Sequence, residues 1–180
     1  MKDLTTAQIE SLEQLIEEQN TDRVRDLIKD LHPADIAELF QDLDLHDAEW
    51  VFNLIDDKDV QADVLMELDE EDRKKLLEGM DSDRIGHFID LLDTDDAVDL
   101  IQELDEEDRD EVIQKIEDVE QAGDIVDLLQ YDEDTAGGLM GTEMIMVNEN
   151  LSMPESLKEI RHQAEDLDDI YYVYVVDDDK

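Results

Sequence analysis

The stretch Leu68-Asp69-Glu70-Glu71-Asp72-Arg73 returns unchanged as Leu104-Asp105-Glu106-Glu107-Asp108-Arg109, 36 residues downstream. Its first residue belongs to a longer series: Leu31, Leu43, Ile55, Leu68, Met80, Leu92, Leu104 and Ile116 follow one another at intervals of 12, 12, 13, 12, 12, 12 and 12. A period of twelve is too short for a pair of helices and right for one short helix plus a turn. Two units then make a helical hairpin of about 24 residues, the signature of a helical repeat array. Within the unit from Leu92 to Leu104, the apolar residues Ala97, Val98, Leu100, Ile101 and Leu104 fall at helical spacing and form one buried stripe, and the remaining face is acidic.

The repeat residues are usually followed by Asp, and each such aspartate is placed to accept hydrogen bonds from the free amides of the next helix. An acid three residues later favours the positive end of that helix, as in Asp69/Asp72, Asp93/Asp96 and Asp105/Asp108. These aspartates therefore have a structural duty before any ligand is considered. The spacing predicts about ten short helices over residues 6 to 130, packed as a superhelix. Leu39, Phe40, Leu43, Val51, Phe52, Leu76, Leu77, Phe88, Leu100 and Ile101 are expected in its core. Thr6–Gln19 and Thr21–Leu31 read as an opening hairpin, and Pro33 sits at a first helical position.

The pattern changes at Tyr131. Residues 1–131 are assigned to the acidic repeat domain and 132–142, which contain Gly137, Gly138 and Gly141, to a linker with close backbone approach. Residues 143–180 read as strand, helix, strand: Glu143–Val147, a helix opened by Pro154 with Leu157, Ile160 and Ala164 on its apolar face, and Ile170–Val176. The last segment is nearly all apolar and suits a buried parallel strand. The fold class is thus mainly α, a superhelical array of short helices followed by an incomplete α/β unit.

With 57 Asp and Glu against 14 Lys and Arg, the formal charge is −43. Such a charge opposes compaction, yet 52 of the 180 residues are Leu, Ile, Val or Phe. That share exceeds the roughly 20% below which a highly charged chain stays disordered. Nucleic acid is a poor partner, because binding it requires cations that displace counterions. There is no cysteine, which removes disulfides and thiolate metal sites. No apolar run approaches the roughly 20 residues that cross a bilayer, and the first twenty residues lack the basic start and apolar core of a signal peptide.

No catalytic constellation stands out, and the chain is read as a non-enzyme. The four histidines, His32, His46, His87 and His162, are scattered. Asp81-Ser82-Asp83-Arg84-Ile85-Gly86 begins like a calcium loop but offers Leu92 where the bidentate Glu belongs. What remains is carboxylate density without cationic partners. Hard divalent cations are its natural complement, and Mg²⁺, which keeps several waters and uses one or two carboxylates, needs no dedicated loop motif. Neutralising like-charged parts would favour their compact arrangement, so Mg²⁺ is expected to bias open against closed states.

The repeats, beginning with Leu31-His32-Pro33-Ala34-Asp35-Ile36-Ala37, resemble the cytosolic N domain of MgtE-type magnesium transporters. Asp134-Thr135-Ala136-Gly137-Gly138-Leu139-Met140 and Ile170-Tyr171-Tyr172-Val173-Tyr174-Val175-Val176-Asp177 look like the join to that family's CBS domain and its first half. The resemblance implies a Mg²⁺ sensor on the cytoplasmic side of the membrane. Ions at the interface of N and CBS domains would hold it compact and close a membrane pore, and ion loss would let the N domain swing away. By motif match the metal ligands would be Asp95 and Asp99, in Asp95-Asp96-Ala97-Val98-Asp99, and the backbone carbonyl of Gly138. The two aspartates are four apart and share one helix face. A plain capping role for Asp95 and a solvent role for Asp99 are the alternatives. The implied partners are Mg²⁺, the CBS and transmembrane regions of the same transporter, and a second copy in a homodimer. Residues 143–180 would be a truncated first CBS motif. The alternative function is a protein-interaction scaffold, like the helical stacks of flagellar motor switch proteins, holding a basic partner on the acidic surface.

Overall fold

The computed structural model describes residues 6–132, 134–164, 167 and 170–178. The chain divides into two compact units, Met1–Leu139 and Met140–Lys180. The first is the array. Its helices are α1 (Thr6–Glu17), α2 (Thr21–Ile28), α3 (Pro33–Phe40), α4 (Leu45–Phe52), α5 (Lys58–Glu67), α6 (Glu70–Glu78), α7 (Ser82–Ile89), α8 (Thr94–Glu103), α9 (Glu106–Ile113) and α10 (Val119–Leu128). Helices of two to three turns are marginal alone, so their stability comes from the faces they bury. Every residue expected in the core is buried except Leu43, which is half-buried. Phe52 and Phe88 meet edge to face at its centre, ring centroids 5.9 Å apart.

Packing runs mainly between alternate helices: α3 on α5, α5 on α7 and α7 on α9 form one row, and α4 on α6 and α8 on α10 belong to the other. The repeat leucines lie in the turns between helices. Leu68 and Leu104 occupy the C-caps of α5 and α8, and Ile55, Leu68, Leu92 and Ile116 are buried there. The aspartates that follow open the next helix, but not uniformly. Asp44, Asp57, Asp69, Asp81 and Asp118 accept a hydrogen bond from a first-turn amide, whereas Asp93 and Asp105 hold the N-cap position without a side-chain cap bond. For these two the capping expectation fails. First-turn acidity does not account for the difference, since α6 opens with the same Glu-Glu-Asp as α9 and keeps the bond at Asp69. Asp81 caps α7, so the calcium-loop-like stretch is a helix start.

Helix ends inside the array need partners for their last carbonyls. Long polar side chains from later helices supply them. Gln61 is 1% exposed and donates to the carbonyls of Phe52 (2.7 Å) and Ile55 (3.0 Å). Gln121 repeats the device on Ile89 (3.1 Å) and Leu92 (2.7 Å). The first helix ends differently. Gln19 takes φ 50°, with Asn20 N–H donating to Leu15 O and Gln19 N–H to Ile16 O, the double bond of a left-handed helix stop.

The second unit contains β1 (Ile145–Asn148), α11 (Met153–Gln163) and β2 (Val173–Val176). The strands are parallel, in register from Ile145 opposite Val173 to Asn148 opposite Val176. Glu155 fixes the start of α11 by accepting from the Ser152 amide (2.9 Å) and hydroxyl (2.5 Å). The Gln163 amide ties the helix end to both backbone groups of Met146 (3.0 and 2.9 Å). Ile145 and Val147 are buried, but β2 is not the buried strand its composition suggests: Tyr174 is 52% and Val175 67% exposed. A parallel strand is buried when helices cover both faces of a wider sheet, and the described unit has two strands and one helix. Leu157, expected on the apolar face of α11, is exposed for the same reason, while Ile160 and Ala164 are half-buried.

Candidate metal centre

Helix α8 sets the geometry of the acidic residues singled out by the sequence. Thr94, Ala97, Val98, Leu100 and Ile101 are all buried, which fixes the rotation of the helix about its axis. Asp95, Asp99 and Glu103 recur every fourth residue and so rise along one side, with Asp96 beside them. Asp95 and Asp96 are half-buried and Asp99 is exposed. One Asp95 carboxylate oxygen accepts from the Asp96 amide at 3.1 Å.

Among the described residues, one cation stands at this place. Arg73, from α6, lies with Glu103 in a largely buried ion pair, each side chain 11% exposed. Its Nε donates to both Glu103 carboxylate oxygens (3.0 Å each) and its Nη2 to Oε1 (2.6 Å). Its Nη1 donates to the carbonyls of Leu65 (3.3 Å) and Met66 (3.1 Å) at the end of α5. The guanidinium is therefore engaged with Glu103 and the chain, and no hydrogen bond among the described residues joins it to Asp96 or Asp99. Its twin in the repeated hexapeptide, Arg109, donates to the carbonyls of Gln102 and Leu104. Both arginines close the C-terminal end of the preceding even or odd helix, but the position equivalent to Glu103, 36 residues on, is Leu139. The carboxylate partner thus belongs to Arg73.

The electrostatic consequence is legible in the carboxyls. Burial, then the charges of Asp95, Asp93 and Asp99, push Asp96 up to about 6 against the opposing pull of Arg73. Burial also raises Asp99, with Asp95 and Glu103 adding to it and Arg73 opposing. These are acids crowded by their own kind. A hard divalent cation placed among them would relieve the repulsion.

Gly138 lies in a different element, a turn over residues 134–139. Thr135 organises that turn: its hydroxyl donates to Asp132 O (2.7 Å), and the Gly138 amide donates to Thr135 O (3.1 Å) and Oγ1 (3.2 Å). Gly137 packs its α-carbon against the Tyr131 ring, where an added Cβ would fall 2.5 Å from a ring carbon. Its glycine serves this close approach, since no described glycine has positive φ. The structure brings Asp95 and Asp99 together, one turn apart, and no hydrogen bond among the described residues ties Gly138 to α8. Among those residues, no three His, Cys, Asp or Glu side chains gather into a metal-binding cluster. A groove of about 670 Å³ near the turn, lined by Gln102, Arg109, Tyr131, Asp132 and Asp134 among others, contains none of the three expected ligands.

The α8 carboxylates are the kind of donor a hard divalent cation takes while keeping most of its water, and among the described residues they form no caged site. Sequence reading missed Asp96, Arg73 and Glu103. The signal for Arg73 was its recurrence at Arg109, and for Glu103 its place four residues beyond Asp99.

Residues 31–134 match the family model described as the MgtE intracellular N domain. The chain is 41% identical over 58 residues to a magnesium transporter MgtE of Enterococcus faecalis, covering 32% of this chain and 13% of that protein. It is 47% identical over 51 residues to the magnesium transporter MgtE of Thermus thermophilus, covering 28% and 11%. The matched segments thus span about an eighth of these relatives' length. Among solved structures, the cytosolic domain of the Mg²⁺ channel MgtE in complex with ATP superposes with a TM-score of 0.84 at 30% identity, over 95% of this chain and 69% of that one. The soluble part of a magnesium transporter gives 0.76 at 29%, over 96% and 67%. Among the described residues of this chain, no helix is long and apolar enough to cross a membrane. With its acidic twelve-residue repeats, alternate-helix packing and a family match over more than half its length, the chain belongs to the MgtE intracellular N domain family.

Proposed function

We propose that this chain is the cytosolic Mg²⁺-sensing region of a magnesium transporter or channel, acting on the cytoplasmic side of the membrane. Mg²⁺ bound at Asp95 and Asp99, with the Gly138 carbonyl as a further oxygen ligand, favours a compact state that closes the pore formed by the transmembrane region of the same protein. Loss of the ion releases it. The working partners are the CBS and membrane regions of that protein and a second copy of it.

The observation that carries this reading is the acidic edge of α8, where Asp95 and Asp99 stand one turn apart with Asp96 beside them while the nearby Arg73 guanidinium is hydrogen-bonded to Glu103; the upward shifts of Asp96 and Asp99 accord with it. Protons and divalent cations answer the same crowding, and at neutral pH the cation is the available one. A sensor that must empty and refill is served by few protein ligands and a retained water shell, which keep binding weak. The chain's own residues would do two things: Asp95 and Asp99 hold the ion on a helix whose rotation the core fixes, and the Thr135-organised turn presents the Gly138 carbonyl.

Thermal unfolding with and without millimolar Mg²⁺, at ionic strength matched with NaCl, tests it. Stabilisation by binding grows as RT ln(1 + [L]/Kd). The expected result is a Mg²⁺-specific rise in Tm that shrinks in Asp95→Asn/Asp99→Asn. An equal rise in both proteins would reduce the effect to diffuse screening and remove the basis for the site.

A further inference from the structure

We infer that Glu103 is a positioning residue that keeps the acidic edge of α8 open to divalent cations by holding Arg73 away from it. The inference rests on the Mg²⁺ site proposed above. Arg73 is the cation whose field reaches both Asp96 and Asp99. Left to itself, a guanidinium so buried would take those carboxylates as partners, because an uncompensated buried charge is strongly unfavourable. A direct Arg73 pair would then compete with any metal ion for the same oxygens.

The geometry forestalls this. Glu103 takes Nε and Nη2 in a forked arrangement, and the carbonyls of Leu65 and Met66 take Nη1. The fork is rigid and planar, so a guanidinium satisfied on these sides has no freedom to turn toward Asp99 without breaking several bonds at once. Glu103 stands one turn beyond Asp99 on the same side of α8. Arg73 is thereby parked at the far end of the acidic ladder, close enough to moderate its repulsion and held from neutralising it. The repeated hexapeptide supplies the internal control: among the described residues, Arg109 closes its helix end by hydrogen bonds to carbonyls and to no carboxylate, so the helix-closing duty does not require the carboxylate. The carboxylate at Glu103 answers a need specific to the α8 edge.

Mg²⁺ titration by calorimetry on the full chain at fixed ionic strength tests this with three variants. Glu103→Gln frees Arg73 to pair with Asp99 and Asp96, and is expected to weaken Mg²⁺ binding roughly threefold to tenfold. Arg73→Met/Glu103→Met removes the competitor together with its keeper, replacing a buried pair by apolar groups of similar volume, which such sites tolerate. It is expected to bind Mg²⁺ at least as tightly as the unsubstituted chain. A merely structural role for the pair predicts weakening in both variants, so weakening in the double variant overturns the inference even if Glu103→Gln does not fold. Asp95→Asn/Asp99→Asn separates the two levels. If it leaves binding unchanged, the site itself fails and the inference with it. If it abolishes binding while Glu103→Gln binds like the unsubstituted chain, the site stands and the role of Glu103 falls.

Discussion

The two units of this chain handle apolar surface in opposite ways. The array hides Phe52, Phe88, Leu65, Leu100 and Ile101 almost completely, although its helices are only eight to twelve residues long. The strand-helix-strand unit is richer in β-forming and aromatic residues, yet it buries Ile145 and Val147 and leaves Tyr171, Tyr172, Tyr174 and Val175 more than half exposed. Hydrophobic composition alone therefore does not make a core. Stacking does: the short helices bury their apolar faces against one another, mainly in alternate pairs, whereas a two-stranded sheet with one helix leaves a face and an edge without cover.

The strongest way to break this contrast is to truncate one apolar side chain in each unit. Phe88→Ala, at a fully buried position in edge contact with Phe52, is expected to lower stability by about 3–5 kcal/mol. Leu157→Ala, at an exposed position on α11, should change it by less than about 0.5 kcal/mol. Urea unfolding of the two variants checks both, and equal effects would erase the distinction between the units.

A second test probes how tightly the array is stacked. Gly86 lies in the interior of α7, where a Cβ would stand 2.7 Å from Lys115 Cβ and 3.1 Å from the Lys115 carbonyl carbon. Backbone cannot yield as a side-chain tip does, so Gly86→Ala should destabilise by about 1–3 kcal/mol despite alanine's better helix propensity. A stabilised Gly86→Ala protein, measured by the same unfolding curves, would show that the α7 and α9 row is looser than described.

The smallest effect is electrostatic and sets an array acid against one of the second unit. Asp96 is raised to about 6 by burial and neighbouring acids, whereas the Ser152 hydroxyl and amide hold Glu155 below the ordinary carboxylate range. For Asp96 the folded chain keeps a proton that the unfolded chain gives up between the ordinary value of 3.8 and about 6. Its contribution is thus unfavourable above that window and is relieved as pH falls through it. Asp96→Asn should be more stable than the unsubstituted chain by about 1 kcal/mol at pH 7, discounted from the full shift because the group is only half-buried. The difference should vanish toward pH 4. Carboxyl carbon NMR titration should show Asp96 titrating well above Glu155, and coincident titrations would remove the crowding on which the metal proposal depends.

Period and stripe were enough to expect about ten short helices over residues 6 to 130, because a residue such as Leu100 can be buried only if its helix turns that face inward. The sequence also led to Asp95 and Asp99 as a pair on one side of α8. It could not lead to Arg73, whose pairing with Glu103 joins residues 30 apart in the chain and depends on the tertiary fold, not on anything local to either segment. Nor could it reveal that Asp93 and Asp105 forgo the capping bond made by Asp69 and Asp81, since all four follow the same leucine-like residue. For β2 the composition was read correctly as strand but wrongly as buried: burial depends on what covers a strand, which Tyr172 and Val175 do not encode.

Packing between alternate helices also gives the array a parity. Odd helices α3, α5, α7 and α9 stack in one row, and α8 and α10 stand in the other. Insertion of a single twelve-residue unit ahead of α8 would move it and every later helix into the opposite row, turning the acidic edge to the other side of the molecule. Insertion of twenty-four would lengthen the array and leave that edge facing as before. Change in chain length is thus tolerated in steps of two units, and any chain of this architecture that keeps its acidic edge in place should differ from this one by an even number of helices.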